Sequence, residues 1–347
     1  MTTRSFIVAV AVAPLVCAFC IGTAEGQSCS LQFIYWQGDP IPPGLVCNNE
    51  NAAPDGFSIC ILPQCSVHCE SCGPNGGSPI CVATGNTFIS QQDVRIPGLG
   101  NGLTLVRTWN SLLRVSLSNI GLFGPNWRST YEERIYVDDD NTVAYARGDG
   151  HVWNFVVGSG AFTGTPPANT LFTYQAAAPA NAPATLFYTF TNWILIFQSG
   201  EQRVFDGKSG NLLSITDRNG NVTQLTYDSS YRLTTVTDPA SRHLYFSYVS
   251  PSSYLVTSVT SDVGISLSYS YDGQGRLIQY TKPDTTTVSF QYNATNPTLI
   301  TAVLDSNGAV LESHTYDSMG RGLTSSRAGG VEALTVTYPP GGVLFAP

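Results

Sequence analysis

The stretch Tyr271-Asp272-Gly273-Gln274-Gly275-Arg276-Leu277 decides how this chain is read, because partial copies of it return through the last third of the sequence. Each copy closes on an aromatic anchor. The anchors are Phe205, Tyr227, Tyr248, Tyr271, Tyr292, Tyr316 and Tyr338, about 22 residues apart, a period typical of repeat arrays. An acid follows four of them, as Phe205-Asp206, Tyr227-Asp228, Tyr271-Asp272 and Tyr316-Asp317. The residues leading into an anchor alternate apolar and polar, the pattern of a half-buried strand. Ile265, Leu267, Tyr269 and Tyr271 share one face; Leu244, Phe246 and Tyr248, Val288, Phe290 and Tyr292, and Leu334, Val336 and Tyr338 do the same. After the anchor the aspartate can accept backbone N–H groups as an Asx turn, and Gly210, Gly275 or Gly320 can take a positive φ. A second reversal is marked by Asp217-Arg218-Asn219-Gly220 and Asp305-Ser306-Asn307-Gly308, where Asn-Gly predicts a tight hairpin. Each unit is therefore expected to be two strands and two turns, and the fold class all-β.

This pattern resembles the YD repeat, and the chain is similar to the RHS or YD-repeat family of bacterial secreted and surface proteins. The resemblance continues upstream. Val82-Ala83-Thr84-Gly85-Asn86-Thr87-Phe88, Ile96-Pro97-Gly98, Leu103-Thr104-Leu105-Val106-Arg107-Thr108-Trp109-Asn110-Ser111 and Gly121-Leu122-Phe123-Gly124-Pro125-Asn126-Trp127-Arg128-Ser129-Thr130-Tyr131-Glu132 resemble, in order, the domain that precedes the repeats in that family. The implied organisation is a signal peptide over 1–26, a cysteine-rich segment over 27–81, an RHS-type β-domain over 82–200, about six YD repeats over 201–338 and a tail over 339–347. An Ala/Pro/Asn-rich stretch from Gly164 to Thr185 reads as an exposed loop within the β-domain. Pro339-Pro340 after Tyr338 stops the array, since proline cannot donate to a ladder.

The leader has Arg4 ahead of an apolar run from Phe6 to Ile21 and a small-residue site around Ala24-Glu25-Gly26, the features of a secretory signal; an uncleaved anchor is the competing reading. Between leader and β-domain lie Cys29, Cys47, Cys60, Cys65, Cys69, Cys72 and Cys81, and no cysteine follows. In an exported chain this clustering points to disulfides stapling a segment too short for its own core. The count of seven is odd, which leaves one thiol free, intermolecular or ligating. The rival reading is a metal site over Cys65-Ser66-Val67-His68-Cys69-Glu70-Ser71-Cys72. A net charge of −8 without a basic patch argues against nucleic acid as a partner.

Candidate chemistry is sparse. The histidines His68, His151, His243 and His314 are scattered and none stands in a hydrolase-like motif. The periodic acids Asp206, Asp228, Asp272 and Asp317 follow the fold period among turn formers, so they are read as turn residues rather than paired catalytic carboxylates. The repeat turn motif is assigned to Tyr227, Asp228, Tyr271, Asp272, Gly275, Arg276, Tyr316, Asp317, Gly320 and Arg321. Asp138-Asp139-Asp140-Asn141 lacks the further ligands of a calcium loop and reads as a hairpin tip. Arg147-Gly148-Asp149 spells an adhesion tripeptide that also reads as a turn, and Asn221-Val222-Thr223 and Asn293-Ala294-Thr295 are glycosylation sequons. No catalytic, cofactor or metal residue is assigned. In the family, YD repeats wind into a hollow β-shell around a C-terminal effector, so the resemblance implies a non-catalytic piece of wall and cap, a partial shell. About six units are too few to close such a shell alone, and the expected partner is a continuation of the same polypeptide or another shell-forming chain. The alternative is an adhesion or carbohydrate-binding module using Tyr231, Tyr254 and Tyr280 as stacking platforms.

Overall fold

The computed structural model describes residues 31–36, 46–47, 57–62, 80–81, 84–113, 121–137, 142–158, 164–178 and 182–338, the first three as backbone only. The leader, Cys29, Cys65, His68, Cys69 and Cys72, the acidic run 138–141 and the tail 339–347 lie outside them. Three strands, β1 (Leu31–Trp36), β2 (Val46–Cys47) and β3 (Phe57–Leu62), form a small antiparallel sheet in the order β1-β3-β2, with Cys47 opposite Cys60. Cys81 is buried.

Strands β4 (Phe88–Ile96), β5 (Leu103–Asn110) and β6 (Trp127–Ser129) form an inner antiparallel sheet. All the remaining strands belong to one large antiparallel sheet. It begins with β7 (Arg134–Val137), β8 (Val143–Ala146), β9 (Val152–Val157), β10 (Phe172–Ala178), β11 (Ala184–Tyr188) and β12 (Asn192–Phe197). It runs on through β13 (Gln202–Asp206), β14 (Leu212–Thr216), β15 (Val222–Tyr227), β16 (Leu233–Thr237), β17 (His243–Tyr248), β18 (Val256–Ser261) and β19 (Ser266–Tyr271). The last members are β20 (Leu277–Thr281), β21 (Thr287–Tyr292), β22 (Ile300–Leu304), β23 (Val310–Tyr316), β24 (Gly322–Arg327) and β25 (Val331–Thr335). From β7 to β25 each strand pairs antiparallel with its neighbour in sequence. The sheet closes on itself through β7: Arg134 bridges Asn211, and the Ile135 N–H donates to the Gly210 carbonyl at 3.0 Å. Gly210, at φ 72°, allows that approach, since a Cβ there would lie 2.0 Å from the Ile135 carbonyl oxygen. The β25 strand has residue-by-residue register with β24 alone.

Period-two alternation produces this core. In β19 Leu267 and Tyr269 are buried while Ser266, Ser268 and Ser270 face solvent, and β15, β17 and β21 repeat the pattern. One detail differs from the sequence expectation. The stretch 164–185 is not all loop: β10 lies within it, because Phe172-Thr173-Tyr174 keeps the alternation that the flanking alanines and prolines obscure. Tyr174 is buried, its ring centroid 5.4 Å from that of Trp193. The turn at Asp217 is the tight hairpin that Asn-Gly predicts, joining β14 to β15. Gly220 alone has positive φ there, and Asp217 carries both the Gly220→Asp217 and Asp217→Asn221 backbone bonds, because its side chain captures the Asn219 and Asn221 N–H groups at 2.8 Å.

The inner sheet packs on the core-facing side of the large sheet through edge-to-face rings, Phe123 on Tyr269 at 4.9 Å and Trp127 on Phe290 at 5.2 Å. At the centre, Arg107 pairs with Asp93, both side chains wholly buried. Arg107 Nη2 donates to Asp93 Oδ1 at 2.9 Å, Tyr269 Oη donates to Asp93 Oδ2 at 2.7 Å, and the guanidinium lies within 5.3 Å of the rings of Phe123, Trp127, Tyr269 and Tyr280. Burial opposes the charge, but Asp93 beside it raises the guanidinium's hold on its proton above the ordinary value. Asp93 sits where a bulge between Gln92 and Val94 adds one residue to β4. Arg107→Met should therefore cost about 3–5 kcal/mol in urea unfolding, because it strands a buried carboxylate. The double variant Asp93→Leu/Arg107→Met should recover most of that loss.

Candidate functional site

The repeat motif forms one continuous ladder. In each hairpin a bulge sets the anchor opposite the first residue of the following strand: Tyr227 against Leu233, Tyr248 against Val256, Tyr271 against Leu277, Tyr292 against Ile300 and Tyr316 against Gly322. The carbonyl of that first residue then receives the hydroxyl of the next anchor. Tyr248 Oη donates to Leu233 O at 2.7 Å, Tyr271 to Val256 O at 2.7 Å, Tyr292 to Leu277 O at 2.8 Å, Tyr316 to Ile300 O at 2.6 Å and Tyr338 to Gly322 O at 2.8 Å. Tyr227 reaches back to Leu212 O at 2.7 Å, the residue opposite Phe205. Phe205 needs no hydroxyl, since no repeat hairpin precedes it. Burial pushes these phenols up, to about 12 at Tyr292 and Tyr338, so they stay protonated donors across the physiological range.

The aspartates organise the turns. Asp272 Oδ1 accepts the Gln274 and Arg276 N–H groups at 2.9 and 3.0 Å while Oδ2 accepts Arg276 Nε at 2.6 Å. Asp228 with Arg232 and Asp317 with Arg321 repeat the arrangement. Gly275 and Gly320 hold the positive-φ position. Each arginine then covers the next anchor's ring: Arg232 on Tyr248, Arg276 on Tyr292 and Arg321 on Tyr338, at 4.7, 4.8 and 4.1 Å. Arg232 Nη1 also donates to the carbonyls of Ser250, Pro251 and Ser253, and Arg276 Nη1 to Pro297 O. Units carrying Asp and Arg thus clamp the longer turns of the units that lack them.

Other singled-out residues are also engaged. Arg147 pairs with Asp149 at 2.9 Å across a turn closed by the Gly150 N–H on Arg147 O. Asn221 Nδ2 donates to Asp217, and Asn293 Oδ1 accepts the N–H groups of Thr295 and Asn296. His243 pairs with Asp262 and stacks on Tyr245. One juxtaposition was invisible in the sequence: His314 of β23 stands opposite Ser325 of β24, and Glu312 lies 3.9 Å from His314 Nε2. Both side chains are buried, and neither the His314 nitrogens nor the Ser325 hydroxyl makes a hydrogen bond. Of the three aromatics expected as platforms, Tyr280 is buried in the core, whereas Tyr231 and Tyr254 are exposed. Those two line a cavity of about 760 Å³ between residues 121–136 and the turns at Lys208–Asn211, Ser230–Tyr231 and Ser252–Leu255. Among the described residues no group of three or more His, Cys, Asp or Glu could hold a metal ion, and no helix is long and apolar enough to cross a membrane.

Against known proteins, a model described as a domain of unknown function, DUF6531, matches residues 77–155, and one described as RHS Repeat matches 206–243, 255–287 and 271–301. The tRNA nuclease WapA of Bacillus subtilis strain 168 is 31% identical over 152 residues, 44% of this chain and 6% of that protein. The tRNA3(Ser)-specific nuclease WapA of Bacillus spizizenii matches to the same extent. The chain therefore spans a small fraction of these relatives. Among solved structures, TcdB2-TccC3-TEV aligns over 88% of this chain and 16% of its own, at 14% identity and a TM-score of 0.30. A Photorhabdus luminescens Tc holotoxin pore aligns over 74% and 17%, at 12% identity and a TM-score of 0.25.

Two outcomes test the ladder. Tyr292→Phe should cost about 1–2 kcal/mol by leaving the Leu277 carbonyl unpaired, and Tyr227→Phe with Tyr316→Phe should add, being distant along the array. Burial raises the Asp272 carboxyl, but the Arg276 guanidinium and the turn N–H groups outweigh it and hold it below its ordinary 3.8, as at Asp228 and Asp317. Stability from these groups is thus fully present above about pH 4 and lost as pH falls through the lower folded value. Asp272→Asn should flatten the urea midpoint between pH 5 and pH 2, as estimated from that linkage.

Proposed function

We propose that this chain, which belongs to the RHS/YD-repeat family, is a non-catalytic structural part of an exported protein, contributing wall and cap to a β-shell that encloses or delivers an effector. The observation that carries this reading is the ladder itself. Every repeat tyrosine, aspartate and arginine of the motif is already committed to a backbone carbonyl, a turn or a neighbouring ring, so the repeated residues build wall. Function in such an array lies in the surface or cavity it encloses. The inner sheet fills the core-facing side of the wall and would act as the cap. The name tRNA nuclease belongs to the WapA proteins, of which this chain matches 6% of the length. Export by the leader, and disulfides among Cys29, Cys47, Cys60, Cys65, Cys69, Cys72 and Cys81, complete the proposal.

The partner is a polypeptide. Strand β25, with Val331 and Ala333 exposed, has residue-by-residue register with β24 alone among the described strands, and an unpaired strand edge recruits another strand unless it is guarded. Total tRNA incubated with the exported protein should stay intact; cleavage that survives repurification would overturn the non-catalytic assignment. Sedimentation should show association rising with concentration, suppressed in Val331→Lys/Ala333→Lys without a change in melting. A monomer at every concentration would remove the partner.

A further inference from the structure

The fifth tyrosine unit breaks the rule of its strand. Four residues before the anchor the other units place Thr223, Leu244, Leu267 and Val288, all buried, but before Tyr316 the same position holds Glu312 of β23. Its partners across the sheet are Val303 of β22 and Arg327 of β24, so one row crosses three strands. A cavity of about 460 Å³ lies between that row and Phe88-Ile89-Ser90-Gln91 of β4, the edge strand of the inner sheet. Phe88, Ile89 and Val303 are buried in its walls, and the exposed Ser90, Leu311 and Arg327 mark its mouth.

The Glu312 side chain is only 14% exposed, yet among the described residues no donor bonds its carboxylate; His314 Nε2 lies 3.9 Å away, beyond hydrogen-bond reach. A carboxylate covered to that degree costs stability until a donor reaches it. Leucine fills the place in two sister units without that cost, so the wall does not require the charge.

The lining narrows the ligand. A purely apolar molecule would leave the carboxylate unbonded, and a plain anion would be repelled by it. A metal ion would find one carboxylate, too few oxygens for a hard cation. An ammonium supplies several donors to Glu312, and a carboxylate on the same molecule meets the Arg327 guanidinium in its fork geometry. Phe88, Val303 and Leu311 then suit an apolar side chain. The volume matches sites for small ligands.

We propose that this cavity, walled by Phe88, Gln91, Val303, Leu311, Glu312 and Arg327, binds a free α-amino acid with an apolar side chain, its ammonium on Glu312 and its carboxylate on Arg327. The site goes beyond the wall assignment, since a wall with the cavity empty would still be a wall.

The test is calorimetric titration of the exported protein with L-valine, L-leucine, L-methionine and L-phenylalanine, followed by the amide and the deaminated acid of the one that binds best. At least one amino acid should bind, and each analogue, having lost one charged partner, should bind about tenfold more weakly or worse. Glu312→Leu and Arg327→Met should weaken the amino acid to the same extent. Glu312→Leu installs the residue of the sister units, so its melting temperature should match or exceed that of the parent protein, which separates a lost ligand contact from a lost fold. Three results would each overturn the site: neither heat nor thermal shift with any of the four amino acids, equal affinity for either analogue, or unchanged affinity in Glu312→Leu.

Discussion

The structure depends on a hydrogen bond made six times: an anchor hydroxyl to the carbonyl that the preceding hairpin's bulge has placed opposite the previous anchor. A bulge bends its strand and disturbs the ladder. A row of such bulges would expose a row of poorly paired carbonyls towards the core, each costly to bury unpaired. Tyrosine answers both demands of the site with one side chain, a large apolar ring for the core and a donor at its tip. Phenylalanine suffices only at Phe205, where no repeat hairpin lies upstream. The bond spans 15 or 16 residues, from one unit to the next, and so converts a run of local hairpins into a cooperative array.

The same tyrosines set where the inner sheet docks. Tyr271 Oη lies 3.4 Å from Leu122 O as well as bonding Val256, and Val256 N–H donates to Leu122 O at 2.8 Å. Further along, the Gly322 N–H donates to Gly85 O. Between these contacts the buried Arg107–Asp93 pair fixes the register of inner sheet on wall, because a slipped arrangement would bury both charges without partners. The inner sheet covers the later units, and the earliest ones, around Tyr227, border the open cavity instead.

How much could be read from the chain alone follows from contact range. Anchors, alternating faces and Asx turns are encoded within a few residues, and Tyr271 through Leu277 shows all three. The closure of the sheet is not local: Arg134 meets Ser209 across 75 positions, and Tyr269 meets Asp93 across 176. Arg107 sits in a strand of unremarkable composition, and nothing beside it announces that four aromatic rings and a bulged aspartate will surround it. The β10 strand was hidden for a different reason, since alanines and prolines at its flanks carry the signature of a loop while Phe172 and Tyr174 carry that of a strand.

In a repeat, departures from the rule carry more information than the rule. Two kinds stand out, one buried and one exposed. At the position two before the anchor the units place Leu225, Phe246, Tyr269, Phe290 and Val336, but the fifth tyrosine unit places His314, with Ser325 facing it where β16, β18, β20 and β22 place Val236, Val259, Tyr280 and Val303. That polar pair is sealed from solvent and unbonded, so it costs stability and offers no ligand an approach. Tyr231, Ser241 and Thr285 depart from the rule on the open side, at exposed left-handed turn positions that sister turns give to glycine. A strained residue that reaches solvent can be kept by what it binds, whereas a buried one can only be tolerated. Access therefore decides which departure to read as function.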